Sequence, residues 1–106
     1  MGLDFTNIAD NDGAALYILH TRNTRETERF ERLAADIAKQ TQHQVVLLDV
    51  NTQDGEKVRD FYDIMPEQLP AALVIRDDDS IAHQWFGEYI PTSASDIVYH
   101  LRQTSA

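Results

Sequence analysis

Three short apolar runs restrict this chain more than any other feature. Residues 14–20 (AALYILH) follow a turn at Gly13, residues 44–50 (QVVLLDV) are rich in β-branched and aliphatic side chains, and Ala71–Ile75 (AALVI) is apolar throughout. Runs of this length with this composition predict strands, and the first, apolar at nearly every position, suits a strand buried on both faces. One helix-length segment separates the first two runs. Joining two neighbouring strands through a helix makes them parallel, so the amino-terminal half predicts a βαβ unit.

The helix of that unit is legible from 25 to 40, where Phe30, Leu33, Ala34, Ile37 and Ala38 recur at helical spacing and Glu28 and Arg32 sit four apart on another face. Asn23 and Glu26 have the spacing of a capping box at its start. After a turn at 51–55, Val58, Phe61, Tyr62 and Met65 form a shorter stripe that predicts a second helix facing the sheet, with Pro66 ending it. Ala71–Ile75 and Ile81–Phe86 flank Asp77, Asp78 and Asp79, a pattern that predicts an antiparallel hairpin with a solvated acidic turn. Ser93 and Asp96 form a second capping-box pattern opening a last helix that buries Ile97, Val98 and Leu101. Trp85, Phe86 and Tyr89 are expected to pack in the core or along the sheet edge.

The 106 residues fit one domain, 1–106, whose ends at 1–12 and 103–106 are expected to be loosely ordered. The formal net charge of -9 disfavours nucleic acid and anionic membrane as partners, because both demand clustered Lys and Arg. A basic partner suits it better. No stretch is apolar enough to cross a bilayer, and the acidic first residues lack the basic start of a signal peptide, so the cytoplasm is the expected location. The absence of cysteine fits a reducing compartment.

The order βαβ, helix, ββα resembles the thioredoxin superfamily over about 14–101. The landmarks are ALYILHT before the active-site loop, QVVLLDVN at the central strand, YDIMPEQLPAALVI around the family's cis-proline, and WFG near the last strand. The resemblance implies a three-layer α/β fold with a central mixed sheet of about four strands between helices. It also places Arg22 and Arg25 where the family has the cysteines of Cys-x-x-Cys, with Asn23 and Thr24 between them. Disulfide exchange needs a thiolate and a resolving thiol, and this chain has neither, so thiol-disulfide oxidoreductase activity is excluded. Leu16 stands roughly where the family carries a buried aspartate, and the segment from Tyr62 to Pro70 is longer than usual and adds Pro66.

Pro70 falls at the cis-proline position, which implies that Leu69 and Ala71 border an edge able to dock an extended peptide. With Thr21, Arg22, Asn23, Thr24 and Arg25, these residues make up the expected binding site. Two arginines beside a helix start also suit a small anion. The alternative is that Arg22 and Arg25 are solvated or pair with Glu26 and Glu28.

Other chemistries find little support. The three turn aspartates lack calcium-loop spacing, and His20, His43, His83 and His100 lack zinc-motif spacing, so no metal or cofactor is expected. There is no G-x-S-x-G motif and no phosphate-cradling glycine loop, and Thr21 or Thr24 beside His20 does not make a triad. The reading that follows is a redox-inactive, thioredoxin-like adaptor or chaperone-like module holding a protein segment or extended peptide. One alternative is a glutathione-binding or transferase-type enzyme using substrate sulfur. Another rests on LYILHTRNTRETERFERL, which is similar to the start of the KaiB clock proteins and implies a regulatory binding protein that changes its fold.

Overall fold

The computed structural model describes residues 14–21 and 25–105. The chain runs β1 (Ala15–His20), α1 (Glu26–Gln40), β2 (Gln44–Asp49), α2 (Gln53–Phe61), a 3-10 turn (Pro66–Gln68), β3 (Ala71–Ile75), β4 (Ile81–Phe86), a second 3-10 turn (Gly87–Tyr89) and α3 (Ala94–Ser105). The four strands form one mixed sheet in the order β2-β1-β3-β4. β1 runs parallel to β2 and antiparallel to β3, and β3 runs antiparallel to β4. The expected βαβ unit and hairpin are both present.

Alternation along β1 distributes the core over two faces. Leu16 and Ile18 point to the side where Phe30, Leu33 and Ile37 of α1 meet Ile97, Val98 and Leu101 of α3. Ala15, Tyr17 and Leu19 point to the other side, against Val58 and Ile64. Phe30 is completely buried, so truncating it to alanine would cost about 3–5 kcal/mol. Leu16, also fully buried, is simply part of this core.

The close approach of α2 to β2 depends on Gly55, which is buried in the first turn of the helix. A Cβ there would lie 1.9 Å from the Asp49 carbonyl oxygen, a backbone atom that cannot swing away. Thr52 caps the same turn, its hydroxyl accepting from the Gly55 amide at 3.1 Å and donating to the Asp49 carbonyl at 2.6 Å.

Several expectations need correcting. α1 begins at Glu26 with Arg25 as its N-cap and no side-chain capping bond, while Asn23 lies outside the described residues. Ala38 is exposed, because the buried stripe of α1 is narrower than its apolar composition suggests. α2 ends at Phe61, well before Pro66: Asp63 takes a positive φ of 55° and the Ile64 amide returns to the Arg59 carbonyl at 2.9 Å. That reversal puts Ile64 in the core and leaves Phe61 and Met65 about half exposed, so neither faces the sheet as expected. Tyr62 does pack inward. Tyr89 is 75% exposed, whereas Trp85 and Phe86 are partly buried on opposite faces of the sheet. α3 runs through Ser105, and residues 1–12 lie outside the described residues.

The acidic turn is ordered by its own hydrogen bonds. The Ser80 amide and hydroxyl both donate to Asp78 Oδ1, at 3.0 and 2.6 Å, and these bonds hold the Asp78 carboxyl below its usual range. Asp79, at φ 69°, gives its carbonyl to the Tyr62 hydroxyl at 2.8 Å. Among the described residues no group of three metal-ligating side chains converges, there or elsewhere.

Candidate functional site

A groove of about 420 Å³ opens at the carboxyl ends of β1 and β2. In open α/β sheets this end gathers ligands, because the loops leaving parallel strands diverge there towards helices on opposite faces. His20 and Thr21 come from the end of β1, Glu26 and Phe30 from α1, Val50 and Asn51 from the turn after β2, and Arg59 from α2. Pro66, Leu69 and Pro70 close the opposite side. Tertiary structure therefore brings Thr21 together with Leu69 and Pro70, which lie far apart in sequence.

Local geometry fixes each wall. The Val50 amide donates to the His20 carbonyl at 2.9 Å, tying the end of β2 to the end of β1. The Leu69–Pro70 peptide bond is cis. The Pro70 carbonyl accepts from the Gly87 amide at 2.7 Å, and the Leu69 amide donates to the Pro66 carbonyl at 3.2 Å. The Leu69 amide is thus engaged within its own turn, and Leu69, partly buried against the core, lines the groove. Ala71 is fully buried, is paired with Leu19 on one side and Phe86 on the other, and lies outside the groove lining, so it offers no docking edge.

The expected arginine pair is only partly described. Arg22, Asn23 and Thr24 lie outside the described residues; Arg25 is exposed. Glu26 and Glu28, the carboxylates named as alternative partners of Arg25, instead contact Arg29 at 2.9 Å and Arg32 at 3.3 Å. Arg29 also reaches the Ile90 carbonyl at 3.4 Å and lies over the Phe30 ring, 5.0 Å from its centroid, bracing the α1 wall.

His20 is the residue that sequence reasoning passed over. It is 4% exposed and its Nδ1 has no hydrogen-bond partner among the described residues, with the Phe30 ring 6.4 Å away between centroids. A buried nitrogen left unpaired costs about 1–3 kcal/mol, so its retention calls for a reason beyond packing. The signal was available: His20 is the one imidazole in AALYILH, at the strand end where ligands bind. Asn51, Arg59 and Phe30 carried no comparable mark, since only the fold turns them towards the groove.

No family model and no curated protein matches the chain. Solved structures do. A thioredoxin mutant from Halobacterium salinarum superposes with a TM-score of 0.73 at 15% identity, covering 94% of this chain and 81% of that one. The fold is thioredoxin-like. Thioredoxins from Trichomonas vaginalis and Plasmodium falciparum each give a TM-score of 0.67, at 16% and 15% identity, covering 92% and 95% of this chain and 84% and 88% of theirs. In this thioredoxin-like chain the shared scaffold carries no cysteine at any position, so the fold is kept without a thiol to react.

Proposed function

We propose that this chain is a redox-inactive, thioredoxin-like binding module, acting in the cytoplasm as an adaptor or chaperone-like factor that holds an extended protein segment. The observation that carries the proposal is the groove that joins Thr21 to Leu69 and Pro70 around the His20 nitrogen, which has no partner among the described residues. Its lining suits a peptide: Phe30, Val50, Pro66 and Leu69 supply apolar surface, while Thr21, Asn51, Arg59 and His20 supply polar groups for a backbone. The engaged Leu69 amide argues for recognition by side-chain contacts rather than for a full added strand.

Selection of a random displayed peptide library on the wild type and on Leu69→Arg tests the proposal, with amide shifts of the labelled protein mapping where the selected peptides sit. Shifts at Thr21, Val50, Asn51 and Leu69, with binding weakened at least tenfold by Leu69→Arg, are expected. Shifts confined to a remote surface, such as the β4 edge, would refute the groove as the site.

A further inference from the structure

A second cavity, of about 430 Å³, opens at the same end of the sheet, with His20 as the wall it shares with the groove. Glu31 of α1, Leu47, Leu48 and Asp49 at the end of β2, and Thr52, Gln53 and Asp54 at the start of α2 complete its lining. Three carboxylates surround it and its lining contains no Lys or Arg. Among the described residues, Glu31, Asp49 and Asp54 enter no ion pair.

The spacing of these acids selects the kind of cation. No group of three metal-ligating side chains among the described residues comes close enough to hold an ion, so a compact divalent metal does not fit. A lysine or arginine does fit, since its aliphatic stem can lie against Leu47, on the face of β2 that packs towards α1, while its charged head reaches carboxylates at the rim. His20 links this cavity to the groove: it is 4% exposed, lines both, and its Nδ1 has no hydrogen-bond partner among the described residues, which a ligand crossing between them can supply. The formal net charge of -9 attracts the same class of partner at long range.

We infer that the segment held in the groove carries a Lys or Arg that crosses beside His20 and enters this acidic cavity, so that the partner is a basic segment with an apolar residue a fixed distance from its cation. This rests on the peptide-binding reading and adds the chemical class of the peptide. The groove takes the apolar residue and the acidic cavity the basic one. Together they set register as well as affinity.

The test selects the displayed random library on the wild type and on a Glu31→Gln, Asp49→Asn, Asp54→Asn variant, whose amide spectrum first establishes that it is folded. Asparagine at 49 keeps an oxygen for the Asn51 amide, which now donates to Asp49 Oδ1 at 2.9 Å. Peptides enriched on the wild type should share a Lys or Arg at a constant offset from an apolar residue. The synthetic winner should bind the triple variant about tenfold more weakly, and its copy with norleucine for the basic residue should bind the wild type about equally weakly. Winners without a basic residue, still mapping to Thr21 and Leu69, would overturn this inference and leave the groove reading standing. Basic winners with no fixed offset would overturn it too, because the long-range field alone would then explain them. A library yielding no winner would overturn both.

Discussion

At the scale of single residues, two positions carry strained or unsatisfied chemistry with opposite consequences. Gly55→Ala forces a methyl group against the Asp49 carbonyl, and the contact can be relieved only by moving β2 or α2. Urea denaturation should show a loss of about 3 kcal/mol, in the upper range for overpacking a well-filled site. His20→Leu should act in the other direction, raising stability by about 1 kcal/mol by removing a buried nitrogen that has no partner among the described residues. The same substitution should abolish binding of peptides selected on the wild type. A His20→Leu protein that is less stable and binds unchanged would show that the ring serves packing. Gain of stability with loss of function is the pattern of a residue kept for a ligand.

At the scale of elements, β4 and α3 meet through aromatic rings. His83 of β4 stacks on His100 of α3 with centroids 4.2 Å apart, and Trp85 lies 4.4 Å from His83. Burial first, and the neighbouring His100 second, hold the His83 imidazole below its usual range. A base whose folded pKa is depressed binds protons more readily unfolded, so its contribution to stability is present above about pH 6.5 and fades as the pH falls below it. Unfolding midpoints measured across this window should fall towards acid, and His83→Phe should flatten the slope. The link between α2 and the hairpin titrates at the other extreme. Burial, with Asp79 adding to it, pushes the Tyr17 phenol up to about 12, and burial raises Tyr62 as well, helped by Tyr17, Asp79 and Asp78. A raised phenol stabilises the fold below the unfolded pKa near 10 and loses that contribution as the pH climbs through the folded value. Near-ultraviolet titration should show Tyr17 ionising late, with stability declining over the same range.

Across the whole molecule, charge and topology act together. A mixed sheet whose parallel strands end at one pole concentrates the groove and the acidic cavity there, and a formal net charge of -9 surrounds both. Among the described residues no helix is long and apolar enough to cross a membrane. With no thiol in the chain, a disulfide-reduction assay on a peptide substrate should stay at the rate of the buffer. Any activity above that background would contradict the chemistry the composition allows.

Local pattern was enough to establish the four strands, their succession along the chain and the two longer helices, and the absence of cysteine was enough to exclude thiol chemistry. Each element rests on a local pattern long enough to outweigh competing structures: a helical stripe in 26–40, apolar runs at β1 and β3, and turn residues between β3 and β4. Tertiary structure decided the rest. It ended α2 at Phe61 rather than at Pro66, because burying Ile64 and bonding Tyr62 to the hairpin turn outweighed the local stripe. It buried Ala71 between two strands, and it set His20 at the junction of two cavities. A sequence records which residues prefer to be buried or turned, but a groove depends on which distant strand ends and loops converge, and that is fixed only when the two faces of the sheet pack.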